Sequence, residues 1–267
     1  MTQLTKQISL RDAASLLQDR HTLALGGLML YRRPTAFVYE VLRRATPPTG
    51  LTLLTFTAGY ESDLLVGAGC ISRVRTCYFG LESFGFAPMF TAAAQNGSLH
   101  IQEETEVSLA AGLRATMHGV SFTPSTAWQG TDLLRLRPDV KTIQDPYTGQ
   151  TLTAFPAIRA DIAVIHALVA DRQGNCRLND NWGMDRELVM VAERVIVTAE
   201  EVVDSLTEGV TLSGVVVDQV VHAPQGASPS SCYPHYPVDG LELLDYMDDC
   251  IVGQFPTYLE KVLHGKS

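Results

Sequence analysis

The chain has 267 residues, is 46% hydrophobic and carries a formal net charge of -9. That apolar content supports one large core, and one α/β domain is the simplest count. The acidic balance argues against a nucleic-acid partner, because binding to phosphate backbones rests on a density of Lys and Arg that this chain lacks.

The five cysteines, Cys70, Cys77, Cys176, Cys232 and Cys250, include no C-x-x-C pair, which fits a reducing compartment. Neither they nor the seven histidines show a ligand spacing such as H-E-x-x-H, so no metal is expected. Residues 1–18 hold only Lys6 and Arg11 as positive charges and no continuous apolar run, unlike a secretory signal. The longest apolar runs, at 23–30 and 162–170, fall well short of the roughly 20 residues that cross a bilayer. A soluble cytoplasmic protein with no membrane partner is the expectation.

In chain order, Ser9 and Asp12 open a helix whose apolar face is Leu10, Ala13, Leu16 and Leu17. Thr22 to Leu25 reads as a buried strand that runs into paired glycines, Gly26 and Gly27. Pro34 then starts a helix over 35–44, with Phe37, Val38, Val41 and Leu42 on one face. This strand, glycine turn, helix unit places the glycines at the carboxyl end of a strand, where ligands sit in open α/β sheets.

Further strands are predicted at 51–56, 73–79 and 99–102, alternating with helices at 62–68, 88–96 and 107–118. The Pro-, Gly-, Asp- and Thr-rich segment 135–153 reads as a surface excursion. Residues 159–167 form a buried strand, and Asp171 and Asn175 stabilise the turn that follows. Residues 192–203 give a helix end, a strand and a turn. The alternation predicts an α/β fold, a single open, mainly parallel sheet with helices on both faces. It spans 1–267, with a helical tail from about 240 to 267.

Asp19, the run Leu23-Ala24-Leu25-Gly26-Gly27-Leu28 and the later Pro34 resemble the signature of the α subunit of family I coenzyme A transferases. Arg20, Leu28 and Arg32 depart from it, standing where Gly or Asn, Phe, and Gly are usual. These departures point toward the glutaconate CoA-transferase-like branch. Gly130-Thr131-Asp132-Leu133, the segment from Ala160 to Asn175 and the closing segment from Val220 to Asp239 are also similar to that branch, with Ser121 and Ser228 where Pro and His are frequent. The chain is similar too to the α subunits of steroid ring-opening CoA hydrolases. The glycines do not fit G-x-G-x-x-G, so no dinucleotide is implied.

The resemblance implies transfer of CoA from an acyl-CoA to a carboxylic acid, through a glutamate nucleophile on a separate, homologous β subunit in an αβ or α2β2 assembly. This chain shows no Glu-x-Gly setting of the S-E-N-G kind. No tightly bound cofactor is implied, and coenzyme A enters as substrate. Two alternatives stand beside this: the α subunit of a CoA-thioester-dependent ring-cleaving hydrolase of steroid degradation, and a non-catalytic small-molecule binding module.

The same resemblance nominates Gly26, Gly27 and Leu28 as the loop facing the nucleophile. The Gly27 and Leu28 amides are the expected oxyanion donors, worth roughly 3 to 4 kcal/mol each. Arg32 and Arg33 are expected to engage a substrate carboxylate or a CoA phosphate, with Asp132 a weaker candidate. Glu106 is either a general base beside the acyl pocket or a charge at a helix terminus. Gly27→Val is expected to leave folding largely intact while lowering turnover. His166 is read as a hydrogen-bonded core residue and Cys232 as an inert thiol.

Overall fold

β1 (Thr22–Leu25) lies at the centre of the main sheet in the computed structural model, which describes residues 5–265. Residues 1–4 of the stretch read for a leader, and 266–267 of the expected tail, lie outside the described residues. The chain continues through β2 (Leu51–Leu54), the short β3 (Thr57–Ala58), β4 (Ile71–Thr76), the short β5 (Tyr78–Phe79) and β6 (His100–Glu103). It then runs through β7 (Phe122–Ser125), β8 (Lys141–Gln144) and β9 (Thr151–Pro156) before β10 (Ala160–Asp171), β11 (Cys176–Arg177), β12 (Ala192–Val203) and β13 (Gln219–His222). The helices are α1 (Leu10–Ser15), α2 (Thr35–Leu42), α3 (Tyr60–Gly67), α4 (Pro88–Gln95), α5 (Glu106–Met117), α6 (Leu133–Leu136), α7 (Asp185–Val191), α8 (Gly240–Ile251) and α9 (Phe255–His264).

The main sheet has the order β13-β12-β10-β1-β2-β4-β6, and each neighbouring pair along it is parallel. Only β11 runs antiparallel, against the far end of β10. From β1 the chain winds outward first through β2, β4 and β6. It then returns to the other side of β1 for β10, β12 and β13. The carboxyl end of β1 is therefore the topological switch point, where open α/β sheets form their ligand crevice.

Alternation along the strands explains why both faces are covered. Leu23 and Leu25 point into one core with Phe37, Val41 and Leu64, whereas Ala24 belongs to the other with Leu109 and Leu188. In β10, Ile162 and Val164 join the first core, and Ala163, Ile165 and Ala167 the second. Helices α1, α2, α3, α8 and α9 cover the first face, and α5 and α7 the second. Truncating a fully buried leucine such as Leu25 to Ala costs about 2 to 5 kcal/mol in such a core.

The segment expected as a surface excursion is instead part of a second sheet. β7, β9 and β8 make a three-stranded antiparallel sheet. Asp145 closes its hairpin by accepting the Tyr147 amide at 2.8 Å and the Thr148 hydroxyl at 2.9 Å. The turn residues were legible, but the alternation of Leu152 and Ala154 with Thr151 and Thr153 was masked by their polar composition. Trp128, Val140 and Phe155 bury this sheet against Ala111 of α5.

A buried carboxylate locks the small sheet to the large one. Glu104, just past β6, accepts Arg75 Nε of β4 at 2.7 Å and Arg137 Nη1 at 3.0 Å. It also accepts the Ser108 hydroxyl in the first turn of α5. Arg137 stacks over Trp128 and pairs through two parallel bonds with Asp139. No described helix is long and apolar enough to cross a membrane.

Candidate active site

The turn after β1 is built by close backbone approach. A Cβ on Gly26 would stand 2.3 Å from Ile165 Cδ1 and 2.6 Å from Asp185 Oδ1. Gly27 has φ +85°, and a Cβ there would meet the carbonyls of Tyr31 at 2.5 Å and Arg32 at 2.7 Å. Both positions therefore require glycine, and the expectation that Gly27→Val spares the fold is corrected by these contacts. Leu28 and Tyr31 close the loop through two mutual backbone bonds of 3.0 and 2.8 Å. Ser231 braces it, taking the Arg32 amide on its carbonyl and donating its own amide to Leu30, both at 2.8 Å.

The amides expected to serve as oxyanion donors are engaged inside the chain. Gly26 N–H donates to the Val164 carbonyl, Gly27 N–H to Asp185 Oδ1 at 2.8 Å, and Leu28 N–H to the Tyr31 carbonyl. As built, the turn offers none of these three donors to a ligand. What it presents are the half-buried side chains of Leu28, Met29 and Tyr31.

Arg32 and Arg33, expected as substrate contacts, are both fully buried. Arg32 donates to Asp185 Oδ2 at 2.9 Å, Asn179 Oδ1 at 2.8 Å and the carbonyls of His166 and Asn181. Arg33 pairs with Glu61 at 2.6 Å, and Glu61 also accepts the Ser62 hydroxyl. Their guanidinium groups hold the glycine turn from beneath instead of facing solvent. Composition gave no hint of this, because Asp185 and Glu61 are remote in sequence from the arginines they neutralise.

Glu106 is exposed at the first position of α5, after a capping box between Thr105 and Ser108. It lines an apolar groove of about 390 Å³ with Val107, Ala110, Thr123, Pro124 and Met184. Met184 ties that groove to the glycine turn. Its neighbour Asp185 holds the Gly27 amide, and a Cβ on its other neighbour Gly183 would stand 3.5 Å from Phe56 and 3.6 Å from the Gly27 carbonyl and Leu28 Cβ. Cys77, just past β4, packs against the same core as Phe56, Trp182 and Met184, and burial, Glu104 and Glu106 push its thiol up to about 12. The glycine turn and Glu106 thus share one rim at the carboxyl ends of the strands. Asp132 does not reach it: it is exposed, pairs with Arg135 at 3.3 Å and takes no part in the groove.

A second polar cluster lies deeper. His166, fully buried in β10, meets Thr198 Oγ1 at 2.8 Å through Nδ1 and Glu200 Oε1 at 2.7 Å through Nε2. Glu200 also accepts the Tyr236 hydroxyl and the Gln225 amide. Burial pushes the Glu200 carboxyl up, but the bonds from His166 and Tyr236 outweigh it and the net shift is downward. Burial lowers His166, leaving the ring neutral, and drives the Cys232 thiol up to about 12.

The ligand atoms of His166, Glu200 and Cys232 lie within 4.8 Å of one another. The 2.7 Å between His166 and Glu200 is a hydrogen bond; tetrahedral ligands about 2 Å from zinc stand roughly 3.3 Å apart. Sequence spacing concealed this convergence, since three separate segments supply it. Asp171 behaves as read, accepting the Gln173 and Asn175 amides and the Leu206 amide.

Comparison with known proteins adds to this geometry. The family model for coenzyme A transferase matches residues 7–223. A 3-oxoadipate CoA-transferase subunit of Pseudomonas knackmussii is 33% identical, over 88% of this chain and 85% of that protein. The cholesterol ring-cleaving hydrolase IpdA subunit of Rhodococcus jostii is 31% identical, over 83% and 79%. Among solved structures, the glutaconate coenzyme A-transferase of Acidaminococcus fermentans superposes with TM-score 0.87 at 27% identity, covering 97% of this chain and 88% of that one. A variant of the decarboxylase AibA/AibB gives TM-score 0.90 at 32% identity, covering 97% and 99%. With its parallel sheet, its glycine turn at the switch point and a family match along most of its length, the chain belongs to the coenzyme A transferase family.

Proposed function

We propose that this chain is the α subunit of a heteromeric CoA-transferase that moves CoA from an acyl-CoA to a carboxylic acid, with the glutamate nucleophile supplied by a separate β subunit. The observation that carries the reading is the rigid glycine turn at the switch point, in a chain whose relatives named as CoA-transferases are individual subunits matched over most of their length. In this reading Gly26 and Gly27 act through the shape of the turn. They bring Leu28 and Met29 to the rim that meets the partner. The buried Arg32 and Arg33 keep that rim fixed, so the reacting atoms are held without reorganisation. The apolar groove beside Glu106 takes the acyl group, and coenzyme A is a substrate that leaves, not a resident cofactor.

The chain should be assayed alone and after co-expression with a candidate β subunit homologous to those of its relatives. CoA transfer to 3-oxoadipate or to glutaconate, the acids named for two relatives, is the readout. Transfer by the complex and none by the chain alone supports the reading. Full transfer by the chain alone would overturn it.

A second reading is favoured by one observation, the exposed Glu106 on an apolar groove. With a partner that has no nucleophilic glutamate, Glu106 is placed to act as a general base toward water or a substrate proton, as in a ring-cleaving hydrolase. Product analysis with a CoA thioester of a cyclic diketone separates the two.

A further inference from the structure

Arg186 has no role in the fold that its surroundings explain. It is exposed in the first turn of α7, with its guanidinium carbon 3.6 Å from the centroid of the Trp182 ring. A cation in the first turn of a helix works against the helix dipole, so helix stability does not account for it. Among the described residues no carboxylate forms an ion pair with it, although the chain is acidic overall and the neighbouring Glu187 reaches Arg114 at 3.7 Å. Of the other arginines near the crevice, Arg114 lines the groove and reaches Glu187 at 3.7 Å, while Arg32 and Arg33 are buried and spent on Asp185 and Glu61.

Its platform is at the rim. Trp182 is half-buried against the core that holds Ala24, Leu109 and Leu188, and of the two residues that follow it, Gly183 lies beside the glycine turn and Met184 lines the groove. Stacking fixes the plane of a guanidinium while leaving its edge N–H groups free to pair with two oxygens at once. An ordered cation without an ion pair, two residues from the groove-lining Met184 in a protein of net charge -9, is suited to select an anionic ligand.

We propose that Arg186, held by Trp182, is an anion-binding residue of this crevice, and that it takes a carboxylate or phosphate group of a substrate. The inference rests on the reading of the chain as a CoA-transferase α subunit for its substrates, but not for its binding chemistry. The test uses the complex reconstituted with its partner, together with the variants Arg186→Gln, Arg186→Lys and Trp182→Leu, and Arg11→Gln as an exposed charge control.

Arg186→Gln should raise the KM for the anion-bearing substrate roughly ten- to a hundredfold with little change in kcat, as expected for one charge-assisted pair. Arg186→Lys should recover part of that loss, and Trp182→Leu should reproduce part of it. If the anion is the acid's carboxylate, the KM for the acid rises and that for the acyl-CoA does not. If it is a phosphate of coenzyme A, the KM for the thioester rises, and with the dephospho-CoA thioester the penalty disappears for a 3′-phosphate contact and persists for a diphosphate contact.

Should the complex turn over no substrate at all, the functional reading fails but the site is still tested, by calorimetric titration of CoA and of glutarate into the complex. Weaker binding of either in Arg186→Gln than in Arg11→Gln supports the site. KM values and titrations that stay within about twofold of the unmodified complex for both ligand types would overturn it.

Discussion

Asp185 holds the Gly27 amide with one carboxylate oxygen at 2.8 Å and the Arg32 guanidinium with the other at 2.9 Å. A single buried side chain thereby fixes the turn after β1 and neutralises the cation beneath it. Asp185→Asn keeps an acceptor for Gly27 but leaves Arg32 charged and unpaired in the interior. Breaking one partner of such a pair costs about 3 to 5 kcal/mol. A urea titration should show that loss, and an unchanged midpoint would mean that Arg32 finds another anion.

Gly27→Ala should be nearly as damaging. The left-handed backbone alone costs about 1 to 2 kcal/mol for a residue with a Cβ, before the 2.5 Å clash with the Tyr31 carbonyl is added. Thermal unfolding of the purified variant checks this, and a melting temperature equal to that of the parent would show that the turn can relax.

Acid stability should carry two opposed components. Burial raises Asp63 to about 6, against the pull of Tyr246 and the Phe90 and Met89 amides that it accepts. Its favourable contribution is complete below the unfolded value near 4 and is lost as pH rises through about 6. His166 and Glu200 are both shifted downward, so their contribution is present above their unfolded values and is lost as pH falls. Unfolding free energies measured from pH 7 to pH 4 should therefore shift in favour of the parent over Asp63→Asn, by about 3 kcal/mol at most. His166→Gln should flatten the acid loss instead. Parallel profiles for parent and Asp63→Asn would mean that Asp63 is ionised throughout.

Glu106→Gln separates the two functional readings. An exposed residue at the start of α5 contributes only about 0.3 to 1 kcal/mol through the helix dipole, so the fold should survive. With a partner carrying a glutamate nucleophile, turnover should drop only modestly. With one that lacks it, hydrolysis should vanish. Full activity in both settings would leave Glu106 as a helix-terminus charge.

Glu104→Ala should loosen the small sheet before the large one. It strands Arg75 and leaves Arg137 with Asp139 as its ion-pair partner at the junction, so amide exchange across 122–156 should accelerate while β1 and β10 remain protected. Uniform acceleration would show that the two sheets unfold as one unit.

What could be read in advance follows from where the determining contacts lie. β1 and the turn after it were legible because apolar run, paired glycines and Pro34 are contiguous, and their limits agree with the structure. α5 was legible from its apolar spacing and Gly119. The second sheet was not, because its strands are rich in threonine and one of those threonines, Thr153, is buried in place of an apolar residue. Glu104 and Asp185 were missed for another reason: each acts through partners at long sequence separation, Arg75 and Arg137 for the one, Gly27 and Arg32 for the other, and nothing local marks them. The burial of Arg32 and Arg33 is of the same kind. An Arg pair in a loop looks solvent-facing until the acids that neutralise it are placed.

The strands that flank β1 differ greatly in reach. Leu25 ends β1 opposite Val164, while β10 continues to Asp171 and β12 follows it in register to Val203. At about 3.3 Å per residue, the pair rises roughly 20 Å beyond the glycine turn on that side. On the other side β2 stops at Leu54, level with Ala24, and only the two-residue β3 follows, paired with β5, its Thr57 hydroxyl accepting the Met29 amide at 2.7 Å. The crevice is thus a ledge against a wall and not a symmetric trough. A long ligand or a second protein chain that settles on Leu28 and Met29 therefore meets a tall strand pair on one side and only the short β3–β5 pair on the other.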